Sequence, residues 1–193
     1  VSDKYVTSIY EDRSGIFWIG TNNGLNKFDP VTKRFTHYKH DPNNPKSLCD
    51  NEILSIFEDR SGFLWIGTGS GLNKFDPKTG IFTPYRHNPD NSNSLSNEPV
   101  CSICGNASGF LWVGTESGGL NKFDPKTETF TCYRFTSDNP YSISYDHILS
   151  IYEERTGMLW IGTGGGGLNQ FDPVNERFIR YYSNTSIPYS LNN

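Results

Sequence analysis

The sequence predicts an all-β protein: a β-propeller made of four-stranded antiparallel blades, with four blades in 193 residues. Three observations predict it. Trp18, Trp65, Trp112 and Trp160 recur at intervals of 47, 47 and 48 residues and account for every Trp in the chain; a fixed period of that length marks a stack of supersecondary units. Each unit holds four short runs rich in aromatic and β-branched residues, joined by tight Gly, Asp and Pro turns, and four strands so closely spaced can connect only as an antiparallel meander. Finally, aromatics are 15% of residues, with 19 Gly and 11 Pro and no Ala- or Leu-rich helical run, which is a strand-and-turn composition.

The second unit shows the elements in order. Residues 53–58 (ILSIFE) are the first run, and 59–62 (DRSG) turn the chain, with Asp bonding the backbone ahead and Gly free to take positive φ. Residues 63–68 (FLWIGT) form the second strand, 69–71 (GSG) the next turn and 72–75 (LNKF) the third strand. Residues 76–80 (DPKTG) turn again, with Pro preset for its position, and 82–86 (FTPYR) end the blade. Strands one and two are apolar at nearly every position, so the sheet is covered on both faces. The fourth strand carries Thr83, Pro84 and Arg86, or Thr36, His37 and Lys39, and reads as a solvent-facing edge. A buried first strand and a wet last one describe a blade running outward from a central axis. Gly67, beside Trp65, is expected to let the indole lie against the next blade. The repeat core is Trp18, Trp65, Trp112 and Trp160 with Phe28, Phe75, Phe123 and Phe171 of the Phe-Asp-Pro triplets.

A polar loop such as 88–97 (NPDNSNSLSN) then returns the chain from rim to axis. Its one apolar residue recurs as Leu48, Leu95, Ile143 and Leu191, an anchor expected to pin the loop between blades, and Val1 aligns with it. The units are therefore 1–47, 48–94, 95–142 and 143–190, with 191–193 opening a fifth. The first residue, Val, fits a mature or excised piece. An arc of four blades would leave two faces bare, each above the apolar patch a monomer ordinarily exposes. At ~25 cal/mol per Å² that is a strong drive to close. The chain could close as a four-blade ring, pair with a second copy into an eight-bladed ring, or join neighbouring repeats.

Charge and cysteine usage narrow the function. With 17 Lys plus Arg against 21 Asp plus Glu the net charge is -4, and no basic face for nucleic acid or anionic lipid is evident. No apolar run reaches the ~18 residues needed to cross a bilayer. Cys49, Cys101, Cys104 and Cys132 do not recur with the repeat. Cys101 and Cys104 replace Leu54 and Phe57 of the second unit and, at i and i+3 of a strand, should point to opposite faces; they read as packing residues, not metal ligands. The paired acids Glu11-Asp12, Glu58-Asp59 and Glu153-Glu154, and Asp29, Asp76, Asp124 and Asp172 before Pro, read as turn caps. The four histidines support no Ser-His-Asp arrangement, with His40 and His87 sharing one rim slot. The run 164–167 (GGGG) lacks the following Lys and helix of a phosphate cradle. No catalytic residue, cofactor or metal is expected.

Binding in a propeller gathers where loops emerge at one end of the axis. The turns between second and third strands would present Asn22, Asn23, Ser70, Glu116 and Ser117 there. The entries to the inner strands would add Asp50, Asn51, Asn97, Glu98, Tyr145, Asp146 and His147. Amides, carboxylates and an aromatic suit a sugar, which offers hydroxyls and an apolar ring face.

The combination S-I-x-E-D-R-S-G-x-x-W-I-G-T followed by G-L-N-K-F-D-P resembles the two-component regulator propeller repeat. Residues 8–21 with 24–30, 55–68 with 71–77, and 150–163 with 167–173 carry it most closely, and the third unit departs with Cys104-Gly-Asn-Ala in place of aromatic-Glu-Asp-Arg. The resemblance implies the extracytoplasmic, periplasmic sensor region of a membrane histidine kinase or hybrid regulator, a class many of whose members respond to oligosaccharides and usually hold more repeats in seven-bladed rings. The function expected is thus a noncatalytic sensory propeller. Its partners would be an oligosaccharide or similar polar ligand, and another copy of itself or adjoining repeats through the blade faces, with no nucleic acid and no direct membrane insertion. The alternatives are a propeller enzyme such as a lyase, or a structural self-assembling fragment.

Overall fold

Turn chemistry written four times along the chain folds it into four separate sheets. The structure is a computed structural model and describes residues 1–96, 99–105, 109–183 and 190–191. The first blade comprises β1 (Val6–Glu11), β2 (Phe17–Thr21), β3 (Gly24–Asp29) and β4 (Arg34–Tyr38); the second β5 (Ile53–Glu58), β6 (Leu64–Thr68), β7 (Gly71–Asp76) and β8 (Ile81–Tyr85). The third comprises β9 (Val100–Gly105), β10 (Leu111–Thr115), β11 (Leu120–Asp124) and β12 (Thr129–Tyr133); the fourth β13 (Ile148–Glu153), β14 (Leu159–Thr163), β15 (Leu168–Asp172) and β16 (Arg177–Tyr181). Every sheet is a simple antiparallel meander, and no helix occurs among the described residues.

The turns show why the acids recur. Asp59 Oδ1 accepts the backbone N–H of Ser61 and Phe63, and its Oδ2 accepts the Trp65 indole N–H at 2.8 Å. Asp12 does the same for Ser14, Ile16 and Trp18, and Glu154 takes the Trp160 indole. One side chain thus caps a turn and fixes the indole that fills the seam between blades. Position 106, six residues before Trp112, lies outside the described residues, and the buried Trp112 Nε1 has no partner among those described. Asp29, Asp76, Asp124 and Asp172 cap the turns before the fourth strands, as expected. Glu58 differs: its buried carboxylate accepts the N–H of Arg13 from the first blade, so it bridges blades and caps no turn.

Three seams of one design hold the blades together. Trp18 and Leu25 of the first blade pack with Leu48, Ile53, Leu64, Ile66, Phe75 and Phe82 of the second unit. Trp65 and Leu72 pack likewise into the third, and Trp112 and Leu120 into the fourth. The indole meets the next blade's Phe edge-on, Trp18 to Phe75 at 5.4 Å, Trp65 to Phe123 at 5.3 Å and Trp112 to Phe171 at 5.5 Å. Pairing across β5 and β6 shifts between Ile53 and Ser55, a bulge that turns both Ile53 and Ile56 toward the preceding blade. Cys101 is the bulged residue of β9, and Cys104 packs in the third seam. Three anchors sit in seams: Leu48, Leu95 and Ile143 are buried, and His40 and His87 donate Nδ1–H to the Leu48 and Leu95 carbonyls, whereas Leu191 and the aligned Val1 are exposed and pin no loop between blades.

Two sequence expectations are corrected. Gly67 does not serve the indole; a Cβ there would lie 2.5 Å from the Val100 carbonyl oxygen of β9, so the missing side chain admits the next blade's inner strand. The most buried strands are the second and third of each blade, not the first. The first strands line the axis and are half-buried, because they pack in the order β1, β5, β9, β13 as an arc whose centre is unfilled. Val6 and Phe35 on the first blade are 47% and 40% exposed, whereas their counterparts Ile53 and Phe82 are buried.

Removing the double-duty carboxylate with Asp59→Ala is expected to cost about 1–3 kcal/mol in denaturant unfolding, the loss left when a buried indole N–H and two turn N–H groups are unpaired. A side chain at Gly67, as Gly67→Ala, is expected to cost about 1–3 kcal/mol through overpacking against Val100. The same change at Gly162, where a Cβ would lie 2.7 Å from Ser150 Oγ of its own blade and no other described residue is within 4 Å, is expected to cost less than at Gly67, because a hydroxyl can rotate aside where a backbone carbonyl cannot.

Candidate functional site

The turns between second and third strands meet the rim-to-axis loops at one end of the arc, and a repeated polar latch builds that end. The residue after each anchor donates its N–H to an Asn of the third strand: Ser2 to Asn26, Cys49 to Asn73, Ser96 to Asn121 and Ser144 to Asn169. The same Asn side chains donate back to the Ser2, Ser96 and Ser144 hydroxyls and to Cys49 Sγ. Each latching Asn is fully buried, so the network is satisfied internally and fixes the loop above it. The sequence held the signal, an Asn in every G-L-N segment with a small polar residue beside every anchor.

On this scaffold several predicted site residues serve the fold. Asn51 Oδ1 accepts the His40 N–H at 2.9 Å and its carbonyl accepts Gly24 N–H. Asp146, at the same place in the fourth unit, accepts Phe135 N–H at 2.7 Å and Gly119 N–H, and pairs with Arg134 at 3.3 Å. Asp50 accepts the Ser70 hydroxyl at 2.5 Å and the Glu52 N–H. Burial alone would raise the Asp50 carboxyl, but the hydrogen bonds from Glu52 and Ser70 outweigh it and hold it below the usual range. Asn23 bonds Thr21, the Ser2 carbonyl and Lys39, and Asn22 is exposed. Asn97 and Glu98 lie outside the described residues.

The remaining four predicted residues converge with Asp146. Glu116, Ser117, Tyr145, Asp146 and His147 line one cavity of about 280 Å³ between the third and fourth blades, together with Phe135. The run 164–167 borders it: a Cβ on Gly164 would lie 2.5 Å from His147 Nδ1, and one on Gly165 would lie 3.6 Å from the Tyr145 ring. Gly164 makes room for the imidazole, Gly165 and Gly167 take positive φ, and a Cβ on Gly166 would meet Ser144 and the Tyr145 Cβ, which accounts for the run without any phosphate. Phe135 was missed by sequence reasoning. The signal was a departure from the repeat, since Phe135 stands where the first two units have His40 and His87, as Tyr145 stands where the second has Asp50 and His147 where it has Glu52. Exposed aromatic faces beside a carboxylate, a hydroxyl and an imidazole can stack on an apolar ring and hydrogen-bond its substituents.

The opposite end, formed by the turns between first and second strands, holds two larger concavities that the sequence did not point to. One of about 440 Å³ is lined by Tyr10, Phe57 and Phe63 with Arg13, Arg60 and Lys74, and a neighbour of about 500 Å³ by Asp12, Ser61, Asp76 and Lys78. Gly105 opens the first, its missing side chain leaving the space that the Phe57 ring approaches. Lys74 Nζ lies 4.0 Å from the Phe63 ring centroid, a cation–π contact within the wall.

Comparison with known proteins places the repeat. The family profile described as "Two component regulator propeller" matches residues 1–23, 47–70 and 142–165. The third unit, where the motif departs, is not among the matched spans. The extracellular domain of the hybrid two component system BT3049 from B. thetaiotaomicron is 29% identical and superimposes with a TM-score of 0.82, over 94% of this chain and 25% of that one. The extracellular domain of the one component system BT4673 from the same organism shares the fold at 22% identity and a TM-score of 0.78, over 99% of this chain and 24% of that one. Virginiamycin B lyase from Staphylococcus aureus shares it at 16% identity and 0.70, over 94% of this chain and 56% of that one. The chain thus spans about a quarter of the two regulators it resembles. No curated protein matches the sequence. Among the described residues no helix is long and apolar enough to cross a membrane, and no group of three or more His, Cys, Asp or Glu is placed to hold a metal ion.

The carboxylates that tie the turns and loops set the acid limit of stability. Asp12, like Asp50, is held below its usual range, burial opposing and the bonds from Ser14, Trp18 and Ile16 prevailing. A depressed folded-state value contributes stability that is present above the unfolded value, about 3.9, and is lost as pH falls through the folded one. Unfolding midpoints are therefore expected to drop steeply below about pH 4, with Asp50→Asn flattening part of that slope in a pH series of denaturant melts.

Proposed function

From a chain built of two-component regulator propeller repeats, we propose a noncatalytic sensory module that works outside the cytoplasm and recognises an oligosaccharide or similar polar ligand in the cavity between the third and fourth blades. What carries the reading is the clustering of departures. A repeat protein repeats what its fold needs, and the two residues that break the pattern here, Phe135 and Tyr145, meet in one cavity beside His147, Glu116 and Ser117. Selection for stacking alone would have kept the repeat's His and Asp at those two places. The likeness to an extracellular domain of a hybrid two component system supports both the sensory role and the compartment. The acids elsewhere cap turns or bridge blades, which supports binding over turnover.

The test is calorimetry and thermal shift against a panel of neutral and acidic oligosaccharides, with Tyr145→Ala as the diagnostic variant. Tyr145 is half exposed, so its truncation should leave the melting temperature within about 2 °C of the parent. Loss of a stacking anchor is expected to weaken binding about tenfold, near 1.4 kcal/mol. Binding that ignores Tyr145→Ala would place the ligand elsewhere, and reproducible cleavage of any oligosaccharide would show an enzyme.

A further inference from the structure

We propose that the concavity of about 440 Å³ at the end formed by the turns between first and second strands is a second binding site, and that its ligand is an aromatic carboxylate. It is separate from the cavity that holds Tyr145. Its walls belong to the first three blades and the two seams they share, so it is internal to the chain.

Repeat position supplies the first argument. The last residue of the first strand is Glu11, Glu58 and Glu153 in three units and Gly105 in the third. In the first seam the buried Glu58 carboxylate accepts Arg13 N–H at 3.0 Å, so a negative charge stands where the second blade meets the first. In the second seam the same place carries no side chain, and the Phe57 ring leans over it, 2.5 Å from where a Cβ would lie. The cavity opens there. The third unit has thus lost the carboxylate that the other units keep, and has lost it beside three cations, Arg13, Arg60 and Lys74.

Charge and ring chemistry supply the second. Arg13 Nη1 donates to the Arg60 carbonyl at 3.0 Å, which uses one of the five N–H groups of its guanidinium. Lys74 Nζ lies over the Phe63 ring, 4.0 Å from its centroid. The two acids on the wall are already engaged, Glu58 by Arg13 N–H and Asp59 by its turn and the Trp65 indole. Among the described residues the one ion pair is Arg134 with Asp146, at the other end of the arc, so no carboxylate among them pairs with Arg13 or Lys74. A concave site whose acids are spent and whose cations are not attracts an anion. The rings of Tyr10, Phe57 and Phe63 decide what carries it, because flat apolar faces beside an ammonium fit a planar ring with a charge at its edge. A carboxylate is the anion favoured, since a carboxylate holds the equivalent place in the first seam.

Calorimetry and thermal shift of the 193-residue chain with 4-hydroxybenzoate and with 4-hydroxybenzyl alcohol, which share a ring and differ in charge, test the proposal. One site of about millimolar affinity or tighter is expected for an acid of that size. The acid should bind about tenfold tighter than the alcohol, the effect of one charge-assisted hydrogen bond. Two variants address the wall, and the repeat shows that the fold accepts both: Gln170 stands at the place of Lys74, and Ile16 and Met158 at that of Phe63. Lys74→Gln is expected to weaken the acid about fivefold and leave the alcohol unchanged, and Phe63→Leu to weaken both about threefold. Tyr145→Ala, in the other cavity, should change neither. The absence of binding at about 10 mM acid, where a ligand of that size saturates a built site, would overturn the proposal. Equal affinity for acid and alcohol, an affinity that either wall variant leaves intact, or a loss on Tyr145→Ala would overturn it as well.

Discussion

Everything in this molecule depends on the seam between blades. A lone four-stranded meander with apolar side chains on both faces has no stable existence in water, and each blade is completed only by the neighbour that covers it. The seam is made specific by an indole that a turn carboxylate holds by its N–H and that presses edge-on against a Phe of the next blade. A single Asp therefore sets the local turn, the rotamer of the largest core residue and the docking of the following sheet. The glycine two residues further on completes the fit, because any Cβ there would push the next inner strand away.

The polar latches do for the loops what the indoles do for the sheets. A buried Asn in each third strand holds the backbone just after each anchor, and it is satisfied in return by a serine hydroxyl or, once, by the Cys49 thiol. The loops above are positioned by backbone bonds that do not depend on what their exposed side chains are. That separation lets the third and fourth units carry Phe135, Tyr145 and His147 without disturbing the fold, since the bonds at those places run through the Phe135 N–H and the His147 carbonyl. A regular frame with a few irregular side chains is how a repeat protein acquires a site.

The same logic divides what sequence reasoning saw at the site from what it missed. Asn51 and Asp146 look like ligand-binding polar residues in a list, yet both spend their side chains on the loop backbone. Sequence alone cannot distinguish a carboxylate that caps an N–H from one left for a ligand, because the difference is a rotation of a few ångströms. Phe135 was overlooked since the loop was read for polarity, although its departure from His40 and His87 was visible in the alignment of units. The concavities at the opposite end were beyond reach: Tyr10, Phe57 and Gly105 come from three different blades, and only the stagger of three sheets brings them together.

By itself the sequence determined the blade: the period, the meander, the strand limits to within about a residue, the turn-capping acids, the interblade anchors and the identity of the core. These are decided by local chemistry, by which residues can take a turn and which must avoid water, and local chemistry repeats with the repeat. Only the tertiary structure decided that the inner strands are half-open, that Gly67 serves a neighbouring strand, that Glu58 reaches across to another blade, and which residues of two units share a cavity. Those outcomes depend on how one sheet lies against the next, a relation between residues some 47 positions apart that no single unit encodes.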